Sequence, residues 1–408
     1  MKHQLFFELL KTAIGQRKVL STVPSAKEWE AIYDLLSKHT LLGVGYVAIQ
    51  KLPREQWPPK MLVLKWTSVA TAISHQNKTL NEECKSLCEE FRHDGVASVV
   101  IKGQSNLENY PEELRWYRTP GDIDLWCEAR NGVENGEMVN GEVVKSEFHG
   151  IAGVIEYCKQ YERCRGRDIP WHRVLYYHCE LKSDNGIAIE PHYRISYLHS
   201  PVRNHRLQKW SKNQFDICLQ NRCSLGFPVL TPSVNVVYQL VHLYRHVFEG
   251  GIGLRQLMDY YFALRVWHND VMECKDLKSQ GMWSEGLGTP VMSAQEVMAV
   301  IRSFGMAKFT SAVMFGLHEV FDMPPHYYIC EPNEVEGRKL LAEIMWGGNF
   351  GQYDTRDAAL KKGGMLKHGL WKLKRVTRLV RSYPEEALCE PFFRVYHWIW
   401  RRFELWRY

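Results

Sequence analysis

The sequence predicts an α+β protein in which two helical regions flank a small β-sheet. Apolar residues recur at helical spacing up to about His93 and again beyond Arg194. Between these regions, the β-branched run Val96–Gly103 indicates a buried strand, and the alternating segment Gly121–Glu128 indicates a strand with one polar face. We therefore divide the chain into a helical N-terminal region (1–94), a sheet-containing core (95–197) and a helical C-terminal region (198–408).

The composition is that of an ordinary globular protein. Of the 408 residues, 45% are hydrophobic and 24% are charged, which excludes collagen, coiled-coil rods and wholesale disorder. The net charge of +6 identifies no partner. Eleven cysteines without a repeated spacing indicate reduced thiols, and the first residues lack the features of a signal peptide. We expect a cytoplasmic protein without an integral membrane segment, because the apolar stretches are too short to span a bilayer.

The helical regions carry start and stop signals. Ser25 is a good N-cap, and Pro58–Pro59 suits the first turn of a long helix that ends near His93. Within the core, Ser105 and Glu108 have the spacing of a capping box, so a short helix is expected directly after Gly103. Further helices are expected near Gly150–Glu162, after Pro232, at Ala294–Phe304 and at Met306–Val320.

A hairpin is expected at the end of the core. The apolar segments RVLYYHCEL and IAIEPHYRI flank a turn of Ser-Asp-Asn-Gly at residues 183–186. Glu190 lies on the second of these strands, on the face opposite to Ile187 and Ile189.

Carboxylates on these strands indicate a metal site. Asp122 and Asp124 stand at positions i and i+2 of a strand, so both side chains point to the same side. Glu190 could add a third oxygen ligand from an adjacent strand. Carboxylate oxygens suit Mg²⁺, and two such ions can assist an in-line displacement at phosphorus.

The segment just upstream offers a complementary phosphate site. Gly103 presents no side chain to block a phosphate, and the amides at a helix start carry partial positive charge. Lys102 and Arg118 could add full charges. A phosphate cradle beside a metal site is the layout for transferring a nucleoside monophosphate with loss of pyrophosphate.

These residues resemble a known family. The segment IKGQSNLENYPEELRWYRTPGDIDLWCE is similar to the signature of the uncharacterised nucleotidyltransferase family of the DNA polymerase β-like superfamily, and IEPHYR and HVFEGGIGLRQLMDYYFAL extend the resemblance over about Val96–Leu264. It implies a small mixed sheet of the polymerase β-like type. It also implies site residues: Asp122, Asp124 and Glu190 as catalytic metal ligands, Lys102 and Gly103 as the phosphate loop, and Arg118 as a phosphate contact or a support of the carboxylates.

The sequence departs from the superfamily pattern at two points. Lys102-Gly103 stands where most members have Gly-Ser, so a hydroxyl contact to phosphate is either absent or supplied by Ser105. The third acid is Glu190 rather than aspartate, and the adjacent Pro191 cannot donate to a sheet ladder, which suggests an edge strand or a bulge.

Other residues have two possible roles. His192 could touch metal or nucleotide, or it could be a hydrogen-bonded structural histidine. Arg255 and Asp259, one turn apart after a glycine-rich loop, form either a surface ion pair or part of a segment that closes over the nucleotide. Gly121, before the aspartates, is also assigned to nucleotide binding.

The C-terminal region ends in a basic and aromatic segment. Residues Lys361–Tyr383 include no acid. The segment is either a solvated face or a contact for an anionic membrane surface or RNA. Four tryptophans accompany it: Trp371, Trp398, Trp400 and Trp406.

We expect a magnesium-dependent nucleotidyltransferase with a two-metal site in which Mn²⁺ could replace Mg²⁺. The expected donor is a nucleoside triphosphate such as ATP, and the acceptor hydroxyl belongs to a small molecule, a protein or RNA. Two alternatives stay open: a non-catalytic binding protein that keeps the fold, and a kinase-like phosphoryl transferase.

Overall fold

A computed structural model describes residues 3–130, 150–279, 291–356 and 364–403. The chain forms two compact units, each built from three segments. The first unit comprises residues 1–78, 106–120 and 239–387, and the second comprises residues 79–105, 121–238 and 388–408. The structure is mostly helical with one small sheet, which confirms the α+β prediction.

Within the described ranges, helices occur from Gln4 to Phe403, whereas the strands fall between residues 96 and 192. The described helices are α1 (Gln4–Ala13), α2 (Ala26–Lys38), α3 (Leu42–Lys51), α4 (Lys60–His93), α5 (Glu112–Arg115), α6 (Gly150–Cys164), α7 (Pro201–Lys212), α8 (Phe215–Gln220), α9 (Pro232–Glu249), α10 (Leu254–Ser279), α11 (Ala294–Ser303), α12 (Ala307–Phe321), α13 (Glu334–Gly347), α14 (Met365–Leu379) and α15 (Pro384–Phe403). Short 3₁₀ helices lie at Arg54–Gln56, Gly103–Asn109, Trp171–Arg173, Pro325–Tyr327 and Asn349–Gly351. The strands are β1 (Val96–Val100), β2 (Ile123–Ala129), β3 (Leu181–Lys182) and β4 (Ala188–His192).

The sheet is mixed and belongs to the second unit. Its strand order is β1-β2-β4-β3. Strand β2 runs antiparallel to β1 and parallel to β4, and β3 pairs antiparallel with β4. The expected hairpin is confirmed, although β3 is only two residues long. This order places the strand of Asp124 directly beside the strand of Glu190.

Each face of the sheet packs on its own hydrophobic cluster. Leu125 and Ile189 face one cluster, to which the second half of α4 contributes Leu87 and Phe91. Trp126 faces the other cluster, which includes Phe215 of α8. Because side chains alternate along a strand, Asp124 points to the same face as Trp126. Burial of the neighbouring apolar residues therefore fixes which way the acid faces.

Several predicted boundaries are confirmed. Ser25 and Glu28 form a complete capping box at the start of α2. Helix α4 runs from Lys60 to His93, as the flanking prolines and glycine indicated. A capping box at Ser293 starts α11. Replacing an N-cap serine by alanine costs roughly 1 kcal/mol, so these local signals stabilise the helix ends modestly.

The short helix expected after Gly103 is present, as a 3₁₀ helix that begins at Gly103 itself, but the expected capping box is not. The hydroxyl of Ser105 is buried and has no hydrogen-bond partner among the residues that the structure describes, so it does not cap the helix. The turn is instead held by Gln104, whose side-chain amide donates to Asn81 Oδ1 at 2.7 Å.

Of the two alternatives expected at Pro191, an edge strand or a bulge, the edge strand is wrong. Strand β4 lies between β2 and β3. Strand β3 is too short to reach Pro191, because its ladder involves only Ala188 and Ile189. On that side, Pro191 contributes only its carbonyl, which accepts a hydrogen bond from Cys179 N at 3.0 Å. A proline is tolerated there because no donor is required.

The first unit has an aromatic core of its own. Trp29 and Trp66 are fully buried and meet edge to face, with ring centroids 6.3 Å apart. Gly45 lies against Trp66 and Leu36, and a Cβ atom there would come within 2.8 Å of the Trp66 ring and 2.6 Å of a Leu36 methyl group. A glycine is therefore required at this close approach. Among the described helices, none has the length and apolar character needed to cross a bilayer.

Candidate active site

Three carboxylates converge at the neighbouring strands β2 and β4. Asp124 and Glu190 are directly paired in the parallel ladder. One oxygen each from Asp122, Asp124 and Glu190 lies within 4.8 Å of the others. Asp124 is fully buried, whereas the side chains of Glu190 and Asp122 are 22% and 38% exposed. The cluster is thus anchored in the core and open to solvent on the side of Asp122.

Lys102 lies among these acids. Its Nζ is 2.8 Å from Asp124 Oδ1 and 4.0 Å from Asp122 Oδ2. Burial alone would lower the pKa of Lys102, but the attraction of Asp122, Asp124 and Glu190 outweighs it and raises the pKa well above its ordinary value. We expected the Lys102 ammonium to contact a phosphate. In the structure it lies against the carboxylates and neutralises part of their charge.

His192 joins two of the acids. Its Nε2 donates to Asp124 Oδ1 at 3.0 Å and lies 3.5 Å from Glu190 Oε2. Burial opposes a charge on this imidazole, but the hydrogen bonds to the two carboxylates raise its pKa. Burial likewise disfavours ionised Glu190, but the charge of Lys102 and the hydrogen bond from His192 lower the pKa of that carboxyl. His192 therefore helps to keep Glu190 ionised.

His178 was missed by the sequence analysis. It forms an antiparallel bridge with His192, and its Nε2 lies 3.7 Å from Glu190 Oε2. The signal was present in the hairpin, because a strand that leads into the turn at residues 183–186 must set one residue opposite His192. The sequence did not show that this residue is His178, because the turn residues do not define the strand pairing so far from the turn.

Gly103 and Gly121, the two glycines near the acids, have different surroundings. Gly103 adopts a φ of +63°, which favours glycine, and a Cβ atom there would meet the Asp122 carbonyl oxygen at 3.4 Å. Gly121 has open space where a Cβ atom would stand. The described structure thus explains Gly103 by backbone conformation, while the space at Gly121 is compatible with an approaching ligand.

Arg118 is bound within the first unit by an acid that sequence reasoning did not pair with it. Its Nε and Nη2 donate to the two oxygens of Asp259 at 2.7 and 2.8 Å. Tyr110 donates to the same carboxylate at 2.7 Å. Burial opposes the charge on Arg118, but Asp259 raises its pKa above the ordinary value. Arg118 therefore forms a buried pair with Asp259, whereas the sequence analysis expected it at a phosphate or beside the carboxylates of the site.

Arg255 also lies in the first unit. It is buried, and its Nη1 donates to the carbonyl oxygen of Thr119 at 2.7 Å. The expected surface ion pair with Asp259 is wrong, because Asp259 is itself buried and holds Arg118 and Tyr110. Arg255 instead hydrogen-bonds to the backbone directly after Arg118.

The carboxylate cluster fits a divalent cation. Asp124 Oδ2 is buried and accepts no hydrogen bond from the described residues. Such an orphaned acceptor is costly unless it meets a positive charge. One Lys102 ammonium cannot neutralise three carboxylates, and an all-oxygen donor set matches the preference of Mg²⁺. Asp122, Asp124 and Glu190 could therefore hold such an ion.

Comparison with known proteins agrees with the resemblance noted in the sequence. A family model described as an uncharacterised nucleotidyltransferase matches residues 25–281, more than half of the chain. No curated protein and no solved structure matches the chain. The matched residues include all three acids of the cluster and the buried Arg118–Asp259 pair. The chain belongs to this uncharacterised nucleotidyltransferase family and is a nucleotidyltransferase enzyme.

Proposed function

We propose that the enzyme transfers a nucleoside monophosphate from a nucleoside triphosphate, in the first instance ATP, to an acceptor hydroxyl, with release of pyrophosphate. The observation that supports this proposal is the convergence of three carboxylate oxygens within 4.8 Å at strands β2 and β4. Mg²⁺, or Mn²⁺ in its place, would be held by Asp122, Asp124 and Glu190. When bound, the ion supplies Lewis-acid stabilisation of charge on the phosphate and acceptor oxygens.

In this reaction, side chains of the site would assist the exchange of bonds at the α-phosphorus. The acceptor oxygen forms a bond to the α-phosphorus as the bond from that phosphorus to the bridging oxygen of pyrophosphate breaks. The acceptor proton passes to a carboxylate, either the buried Asp124 or the half-buried Glu190. Lys102, with the amides after Gly103 and the Ser105 hydroxyl, would receive the leaving phosphates.

The source of the transferred phosphorus distinguishes this reaction from a kinase-like one. Triphosphate labelled at the α- or the γ-phosphate is incubated in a whole-cell extract that supplies acceptors, with and without the enzyme, and the added enzyme should increase transfer of the α-label only. The class of product whose labelling depends on the enzyme then identifies the acceptor as small molecule, protein or RNA. Enzyme-dependent transfer of the γ-label would contradict the proposal.

Nucleotide binding tests the assigned residues without an acceptor. Calorimetry should show triphosphate binding that requires Mg²⁺ and falls at least tenfold in the double variant Asp122→Asn/Asp124→Asn, because the phosphates then lose the cation that links them to the protein. Asp184→Asn is the control, since Asp184 lies in the exposed hairpin turn of the same unit. Unchanged triphosphate binding in the double variant would reject the proposed site.

The compartment assigned by this proposal is the cytoplasm. All eleven cysteines are free. Eight of them are buried or half-buried residues of the second unit, for example Cys127 and Cys158 in the cluster under the sheet. Reduced thiols are the ordinary state in a cytosolic protein, so this chemistry supports the assignment.

A second proposed interaction is the docking of α15 on an anionic membrane surface. Phe393 and Trp400 attach one face of the helix to the core of the second unit, where both rings meet Tyr176. The opposite face is an exposed apolar stripe at intervals of three and four residues. Its members are Leu388, Phe392, Val395, Ile399 and Phe403.

Charge complementarity favours a lipid surface as the occupant. From residue 391 to residue 403 the helix contains three arginines and no acid. An apolar stripe bordered by arginine and tryptophan is typical of helices that lie in a membrane interface. RNA would use the arginines but leave the apolar stripe in water. The tryptophans contribute unequally: Trp398 is exposed, Trp371 and Trp400 are buried, and Trp406 and residues 361–363 lie outside the described residues.

Vesicle sedimentation measures this docking. The enzyme should bind vesicles of phosphatidylglycerol and phosphatidylcholine and bind poorly to vesicles of phosphatidylcholine alone. Phe392→Glu/Ile399→Glu should weaken binding more than tenfold, since burial of each apolar side chain is worth about 1.5–3 kcal/mol. Val335→Glu, an exposed apolar position on α13, is the control. Equal binding by the double variant, or binding of RNA without vesicle binding, would contradict the docking.

A further inference from the structure

A second group of metal-ligating side chains lies beside the three acids. It consists of His178, Glu190 and His192, each of which offers one atom within 4.8 Å of the others. The Nε2 atoms of both histidines approach a single carboxylate oxygen, Glu190 Oε2, at 3.7 and 3.5 Å. The two histidine side chains are 2% and 1% exposed. Two buried imidazoles and one half-buried carboxylate therefore point at a common place.

The backbone holds these three side chains in position. His178 and His192 are bridge partners on neighbouring segments, and the hydrogen bond from Cys179 N to the Pro191 carbonyl, at 3.0 Å, secures the same pairing. The two imidazole rings lie 5.0 Å apart and nearly parallel. Glu190 and His192 alternate with Pro191, so they share one face of β4. The arrangement is set by strand pairing and does not require a long loop to close.

The donor set differs from that of the three acids. Two imidazole nitrogens and one carboxylate oxygen suit borderline transition ions, above all Zn²⁺, whereas Mg²⁺ prefers oxygen ligands throughout. We propose that His178, Glu190 and His192 bind one Zn²⁺ ion at a site separate from the Asp122–Asp124 side of the cluster. Glu190 is shared between the two sites. To bind the ion, His192 exchanges its hydrogen bond to Asp124 for a metal bond.

Three protein ligands leave one coordination position of a tetrahedral ion open. Glu190 is half-buried and is the most exposed member of the triad, so solvent would reach the open position from its side. An oxygen of water or of a substrate could occupy it. The site thus has the ligand number of catalytic zinc centres rather than that of closed structural ones.

The experiment uses Co²⁺ as a spectroscopic substitute for Zn²⁺, with the full chain freed of metal by a chelator and without nucleotide. One Co²⁺ per chain should bind with the strong visible ligand-field bands of a low-coordinate nitrogen and oxygen site. One equivalent of Zn²⁺ should abolish the bands, and excess Mg²⁺ should leave them. His178→Gln and His192→Gln should weaken Co²⁺ binding by about 100-fold or more, because each removes a direct ligand.

Two controls separate the sites. Asp122→Asn removes an acid that belongs only to the oxygen cluster, and His205→Gln removes an exposed imidazole of the same unit. Both variants should keep the Co²⁺ bands. Absence of the bands in the unmodified chain, their persistence in His178→Gln, or their loss in Asp122→Asn would overturn the inference. Because nucleotide and acceptor are absent, a failure of the proposed transfer reaction would leave these results unaffected.

The unmodified protein also provides a test if the glutamine variants do not fold. Proton NMR of the Co²⁺ complex should show two strongly shifted, exchangeable imidazole N–H signals, one for each histidine ligand. No shifted imidazole signal, or only one, would overturn the assignment of two histidine ligands.

Discussion

Asp124→Asn should reduce the rate of nucleotidyl transfer by about 10³-fold, equivalent to about 4 kcal/mol of transition-state stabilisation. Asp124 is the buried centre of the cluster: it pairs with Glu190 across the strands, and its Oδ1 lies 2.8 Å from Lys102 Nζ. The substitution keeps the shape and one acceptor oxygen but removes the charge. The measurement is the rate of α-label transfer in cell extract.

The same assay includes two comparisons. Asp184→Asn should transfer label at the unmodified rate, since this aspartate lies in the exposed turn of the hairpin. The thermal unfolding temperature of Asp124→Asn should show that the protein remains folded at the assay temperature. A folded Asp124→Asn enzyme that transfers label within tenfold of the normal rate would show that this carboxylate does not take part in the reaction.

Loss of the Asp259 charge should lower the free energy of unfolding of the first unit by about 3–5 kcal/mol. The reason is that Arg118 is buried and both of its hydrogen bonds to Asp259 are 2.8 Å or shorter. In Asp259→Asn the guanidinium remains buried without a countercharge. Urea unfolding, followed for the transition that belongs to this unit, measures the change.

Tyr110→Phe is the matched variant for this pair. It removes one hydrogen bond to Asp259 but leaves the charge pair intact, so a smaller loss of about 1.5–3 kcal/mol is expected. If Asp259→Asn cost less than Tyr110→Phe, the charge pair would not be the main stabilising interaction of this cluster.

Short-range patterns predicted the elements of the site well. The alternation around Asp122 and Asp124 indicated their shared face, and the hairpin signal placed Glu190 on a strand. Both features depend on strand periodicity and on a local turn, which a sequence displays directly. That Glu190 meets Asp124 was expected from the family resemblance, and the parallel pairing of the two residues confirms it.

Long-range partners could not be predicted in the same way. Arg118 and Asp259 are 141 residues apart in the chain, and Asp259 has Arg255 one turn away on the same helix, so spacing favoured the wrong arginine. Lys102 stands next to a glycine typical of phosphate loops, but its nearest anion in the folded chain is Asp124. Charge partners are chosen by packing between distant segments, and periodicity carries no information about that choice.

The most direct test of the carboxylate site is a titration of the metal-free enzyme with Mn²⁺, followed by electron paramagnetic resonance of the free ion in the presence of one equivalent of Zn²⁺. If the three acids form the cation site, Mn²⁺ should bind to the unmodified enzyme and to His178→Gln. Binding should be abolished in Asp122→Asn/Asp124→Asn, because oxygen ligands hold this ion. Mn²⁺ binding of equal strength in the double aspartate variant would contradict the claim that these acids form the cation site.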